Sequence, residues 1–182
     1  MLFYLFSSEA LEELFTKLGY PLGHDTIPKN VDYYATRSTH GSTLSRVVCS
    51  WVLARSDRPG SMAFFAEALQ SDVTDIQHGT TPEGIHLGAM AGTVDLMQRV
   101  STGIEVKGDV LRLNPELPME VECIDMRIRY RGHSLDLTLK RDSLTVRGYD
   151  LDVAPISLCV SGMMYEFMCG TTRVFHLNKS AP

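Results

Sequence analysis

The sequence contains no run of about 18 apolar residues, so no membrane span is expected. It also has no excess of basic charge. Its net charge of −5 argues against general nucleic-acid binding, which draws on a basic patch. Four cysteines are present, Cys49, Cys123, Cys159 and Cys169, and none has metal-like spacing. They are expected to be reduced packing thiols of a cytoplasmic protein rather than a disulfide framework. The apolar start, Met1 to Phe6, is too short for a signal peptide and lacks a basic lead. It reads as the end of a buried helix cut from something longer. What remains is ordinary for a globular protein, with 44% apolar and 21% charged residues.

The first half reads as helices. Ser7 or Ser8 caps a short amphipathic helix, with Leu11, Leu14, Phe15 and Leu18 as its stripe and Gly19 as its stop. Residues 20–39, with Pro21, Gly23 and Pro28, read as a long loop. Its aromatic pair, Tyr33 and Tyr34, suits either a sugar pocket or packing of the loop to the body. Residues 42–54 form the next helix, with Leu44, Val47, Val48, Trp51 and Val52 at helical spacing. A second helix covers 61–71, and a third starts at Pro82 and runs to about Val100. That third helix is apolar nearly all round, which predicts burial. Its glycines, Gly84, Gly88 and Gly92, predict the close approach of another backbone or of a ligand.

Two helix mouths stand out. Ser42 or Thr43 can cap the first, and Thr81 the second, with Pro82 at the first helical position. A helix mouth carries unpaired N–H groups and a partial positive charge, and it suits a phosphate or a carboxylate. An up-down-up path makes the two helices parallel and their mouths neighbours. Hydroxyls together with the imidazoles of His40 and His86 then form a candidate anion site; ordinary capping with nothing bound is the competing reading.

After Gly103 the pattern changes to short alternating strands separated by turns, which predicts an antiparallel β-sandwich. Arg127, Arg129 and Arg131 share one strand face, either an anion-binding row or a solvated one. His24, His78, His133 and His176 have no partners at ligand spacing and are expected on the surface or in loops.

Five segments carry a family resemblance: Asn30-Val31-Asp32-Tyr33-Tyr34, His40-Gly41-Ser42-Thr43-Leu44-Ser45, Asp72 to Asp75, the run from Gly79 to Gly92, and Arg127 to Gly132. Together they resemble the C-terminal part of glycoside hydrolase family 65, which contains maltose, trehalose and kojibiose phosphorylases and some trehalose hydrolases. The resemblance extends to about Val146 and fades beyond Pro155; residues 161–182 carry no motif of the resemblance and are expected to fit the sandwich poorly. It implies a mixed fold, α then β. Residues 1–102 would be the terminal helices of an incomplete (α/α)6 barrel, and 103–182 a C-terminal antiparallel β-sandwich.

The resemblance also implies a phosphate site formed by Ser42, Thr43 and His86, with His40 and Glu83 as supporting residues. The expected chemistry is inverting phosphorolysis of an α-linked glucose disaccharide, trehalose or maltose. Inorganic phosphate is a co-substrate, and neither metal nor organic cofactor is expected. The expected partners are the disaccharide, phosphate, and either a second copy or the missing N-terminal part of the enzyme; nucleic acid and membrane are not. The family's general-acid glutamate lies in a Gly-Pro-Asp-Glu-Tyr-like segment that this chain lacks, so no catalytic residue is assigned and the isolated chain is expected to be inactive. The alternatives are a trehalose hydrolase, a trehalose-phosphate phosphatase/glycosidase fusion, or a non-catalytic carbohydrate-binding or scaffolding module.

Overall fold

The computed structural model describes all residues except 1, 40, 55, 77–81, 83, 151, 169 and 178–182, together with the side chain of residue 9. Thr81, His40, Glu83, His78 and Cys169 therefore lie outside the described residues. The chain divides into two compact units, residues 1–96 and 97–182. No helix among the described residues is long and apolar enough to cross a membrane.

The first unit is helical. A short helix, α1 (Leu2–Leu5), precedes α2 (Ser8–Lys17), α3 (Thr26–Ala35), α4 (Thr43–Leu53), α5 (Arg58–Gln70) and α6 (Leu87–Thr102), the last of which begins in the first unit and ends in the second. Ser7 caps α2 by accepting from the Ala10 N–H, as expected. Leu2 and Leu5 are exposed, so α1 is not the buried helix end read from sequence.

The stretch expected to be a loop holds α3, which corrects that reading. Pro28 falls in the first turn, where no backbone N–H is needed for the helix ladder. Val31, on the apolar spacing Ile27–Val31–Tyr34, is the buried residue of α3. Tyr33 and Tyr34 are both exposed, edge to face with centroids 5.1 Å apart, and do not pack a loop to the body.

Helix α5 runs antiparallel to α4. Ser50 and Ser61 meet at 3.3 Å between hydroxyls, while Arg46, earlier on α4, reaches Glu67, later on α5. In contrast, α6 runs parallel to α4. A methyl placed on Gly88 would lie 3.6 Å from Leu44, and one on Gly92 would lie 2.8 Å from Cγ1 of Val47. The contacts advance along both helices in the same direction, so both N-termini open at the same end.

Two expectations about α6 need correction. It starts at Leu87, five residues after Pro82, because Gly84 takes φ +103°, which no helical residue adopts. It is also not buried all round. Ala89, Thr93 and Leu96 are buried, but Leu87 and Val94 are 76% and 64% exposed. Leu44 and Val47 of α4 approach it at Gly88 and Gly92.

The second unit contains eight strands: β1 (Glu105–Lys107), β2 (Val110–Leu113), β3 (Cys123–Tyr130), β4 (His133–Lys140), β5 (Ser143–Gly148), β6 (Ile156–Val160), β7 (Met163–Phe167) and β8 (Thr172–His176). They form two four-stranded sheets, in the orders β1-β2-β6-β7 and β3-β4-β5-β8. The expected hairpin turns are present; Gly108 (φ +58°) joins β1 to β2 and Gly132 (φ +83°) joins β3 to β4.

One pairing departs from an all-antiparallel arrangement: β2 and β6 are parallel, with Leu111 opposite Leu158. The 42 or so residues between them include β3 to β5, so the chain returns to the first sheet by a long crossover, the kind of connection a parallel pair needs. Alternation along β4 puts Leu135, Leu137 and Leu139 on the inner side. They share one hydrophobic cluster with Leu111 and Leu113 of β2, Leu158 of β6, Phe167 of β7 and Phe175 of β8. The last two belong to the region expected to fit poorly. They are 1% and 6% exposed, and β8 extends the second sheet by pairing with β5. The alternation that builds a strand is intact here.

His133 is a further correction. It is fully buried, with Nε2 2.7 Å from the Ala154 carbonyl, not a surface residue. His24 and His176 are exposed as expected.

Candidate functional site

The mouth of α4 is built by Ser42. Its backbone is extended (φ −133°, ψ 143°) and its Oγ accepts from the Leu44 N–H at 3.3 Å. An accepting hydroxyl still has its own proton to donate. Thr43, the first helical residue, is buried at 5% exposure. It lies four residues before Val47, on the same side of α4, and Val47, like Leu44, meets α6. Ser42 is related in the same way to Arg46, which faces α5.

The mouth of α6 is built by His86. Its carbonyl accepts the first helical bonds, from the Ala89 and Met90 N–H groups at 2.9 and 3.1 Å. Its ring is held by Asp72, two residues past the end of α5. Asp72 Oδ1 lies 2.6 Å from Nδ1, and Oδ2 accepts the His86 backbone N–H at 3.0 Å. Asp72 is the more buried partner, with 9% of its side chain exposed against 25% for His86. A carboxylate on Nδ1 fixes the ring's orientation and leaves Nε2 to act on something else.

Asp72 falls within the Asp72 to Asp75 segment and carries no local signal of its role. The 14 residues to its partner cross a turn, and no local pattern links them. Thr81, His40 and Glu83 lie outside the described residues, so the capping and supporting roles expected of them have no structural description. Ser42, Thr43 and His86 are brought to the same end of one parallel helix pair.

Nothing in this arrangement is metal-like: among the described residues no group of three His, Cys, Asp or Glu could hold an ion. Burial pushes the Cys49 thiol up from its ordinary value, which suits inert packing. Arg127 and Arg131, of the arginine row, are engaged by carboxylates, Arg127 by Asp136 at 2.6 Å and Arg131 by Asp109. Both remain exposed, as on a solvated face.

Comparison with known families and proteins adds to this geometry. The profile of the glycosyl hydrolase family 65 central catalytic domain matches residues 1–95, and that of the family 65 C-terminal domain matches residues 104–166. An uncharacterized glycosyl hydrolase of Mycobacterium tuberculosis is 44% identical over 94% of the chain. A trehalose 6-phosphate phosphorylase of Lactococcus lactis is 31% identical over 79% of the chain. An alpha,alpha-trehalose phosphorylase of Thermoanaerobacter brockii is 30% identical over 66%. The chain spans only 13%, 19% and 16% of the lengths of these relatives. A solved human-microbiome protein assigned as a kojibiose phosphorylase superposes with a TM-score of 0.73. It is 21% identical and covers 92% of this chain, which spans 21% of the solved one. At that identity the likeness is one of fold.

Proposed function

Because the chain belongs to glycosyl hydrolase family 65, we propose that the mouths of α4 and α6 bind inorganic phosphate for the phosphorolysis of an α-linked glucose disaccharide. One observation carries this reading. Leu44 and Val47 of α4 meet Gly88 and Gly92 of α6 in the same order, so two positively polarised helix ends open side by side. Ser42 stands at one and the oriented ring of His86 at the other. Thr43 is the third ligand.

In this reading the helices are the last of an (α/α)6 barrel and the two sheets its C-terminal sandwich. The reaction inverts: an acid outside this chain protonates the glycosidic oxygen while phosphate attacks the anomeric carbon from the opposite face. Ser42, Thr43 and His86 contribute by holding phosphate in line, an effect of position rather than of proton transfer. Disaccharide and phosphate are the partners, and the cytoplasm, where phosphate is available, is the setting.

The test is calorimetric titration of the whole protein with inorganic phosphate. Binding is expected, and Ser42→Ala and His86→Ala are expected to weaken it tenfold or more. Phosphate affinity unchanged in both variants would refute the site.

A second reading has its own support. One relative, 44% identical, is named only as an uncharacterized glycosyl hydrolase, and the chain spans 13% of it. That long architecture suits a hydrolase or a fusion in which another domain precedes the glycosidase-like one. Release of glucose 1-phosphate in phosphate buffer supports phosphorolysis; free glucose alone, independent of phosphate, supports hydrolysis.

A further inference from the structure

Arg46 is a buried charge with an incomplete set of partners. The residue is 8% exposed. Its Nε donates to Glu67 Oε2 at 3.0 Å, but its buried Nη1 has no hydrogen-bond partner. Glu67 is itself about half exposed, so this pair does not absorb the guanidinium's hydrogen-bonding capacity. A guanidinium nitrogen kept from water and given no acceptor is costly, and an arriving acceptor is one way to offset that cost.

The geometry says from which side it arrives. Long side chains on a helix lean toward that helix's N-terminus, so Arg46 leans toward Ser42, one turn away. Glu67 agrees with this direction. Taking the Ser50–Ser61 contact as the common level, Arg46 lies about 6 Å and Glu67 about 9 Å toward the open end, at about 1.5 Å per residue. The guanidinium therefore reaches past its own Cα toward the mouth of α4. Nη1 is buried, and Ser42 stands one turn ahead of Arg46 on the same side of α4.

We propose that Nη1 of Arg46 donates to the oxyanion bound between the two mouths and supplies its main positive charge. This rests on the phosphate reading above and extends it. Hydroxyls and helix dipoles offer only partial charges, whereas a guanidinium offers a full one with directed N–H groups. The Glu67 bond to Nε holds the fork so that Nη1 faces the anion. Arg46 is a phosphate ligand, and Glu67 is its positioning residue.

The experiment is titration of the whole protein with inorganic phosphate, with thermal melting followed alongside. Arg46→Met keeps the side chain's bulk and is expected to weaken phosphate at least tenfold and to flatten the salt dependence of binding. Arg46→Lys keeps the charge but not the second N–H, and about a threefold loss is expected, with the melting temperature unchanged. If Arg46→Met does not fold, Arg46→Lys decides: unchanged affinity overturns the inference. A folded Arg46→Met with native phosphate affinity also overturns it. In that case His86→Ala separates the two ideas. Loss of binding in His86→Ala leaves the phosphate reading standing; no binding by the unsubstituted protein overturns both.

Discussion

Asp72 grips His86 at two points, with one carboxylate oxygen 2.6 Å from ring Nδ1 and the other accepting the backbone N–H at 3.0 Å. A single side chain thus sets both the ring's direction and the start of α6. Asp72→Ala removes both bonds and leaves a part-buried N–H and ring nitrogen without their acceptor, at a cost of about 1–3 kcal/mol. Urea unfolding should show that loss. Asp72→Asn should cost less. Its amide can accept the backbone N–H, but it must then donate to Nδ1 and force the proton onto Nε2. Nitrogen NMR of the ring should report the exchanged tautomer; an unchanged tautomer would mean that Asp72 does not orient the ring.

The parallel contact of α4 with α6 predicts opposite outcomes for two glycines. Gly92→Ala places a methyl 2.8 Å from Val47 Cγ1 and should destabilise the helical unit by about 1–3 kcal/mol through overpacking. Gly88→Ala meets only Leu44, at 3.6 Å, and should gain up to about 1 kcal/mol from helix propensity. Pairing Gly92→Ala with Val47→Ala should recover part of the loss. Equal effects of the two alanines in thermal melts would contradict the packing.

Asp136 titrates low. Hydrogen bonds from Arg127, and then from Tyr149, hold its carboxyl at about 2, below the ordinary 3.8. A depressed carboxylate contributes stability above its unfolded value, and that contribution fades as pH falls from about 3.8 to about 2. Carbon-detected NMR should place its midpoint near 2. Arg127→Met should return it toward 3.8, and Tyr149→Phe should move it less far.

The segment from β7 to β8 is predicted to be indispensable to the second unit. Phe175→Ala removes a buried ring that meets Tyr165 edge to face at 4.9 Å, and should cost about 3–5 kcal/mol. A melting temperature unchanged from the native protein would show that β8 is an optional addition.

The sequence foretold most helices and strands because their apolar spacing is local. Ser42 was legible for the same reason: extended backbone, hydroxyl and apolar run fall within a few residues. What was missed depends on longer range or on punctuation. Pro28 looked like a breaker, although it sits in the first turn of α3, where proline is harmless. Pro82 looked like a helix start, but the left-handed Gly84 intervenes. Asp72 was silent because its partner lies 14 residues away. The burial of α6 was overestimated because apolar composition does not say which neighbours are present. The parallel β2–β6 pair was hidden because alternation fixes a strand's faces, not its neighbour.

If two helix ends share one oxyanion, a single bound anion must touch both. The most direct measurement is a crystal structure of the whole protein soaked with tungstate, an anomalously scattering phosphate analogue. One tetrahedral anion is expected within about 3.2 Å of both the Ser42 hydroxyl and a ring nitrogen of His86. An anion bound elsewhere, or Ser42 and His86 too far apart to touch the same ion, would contradict it.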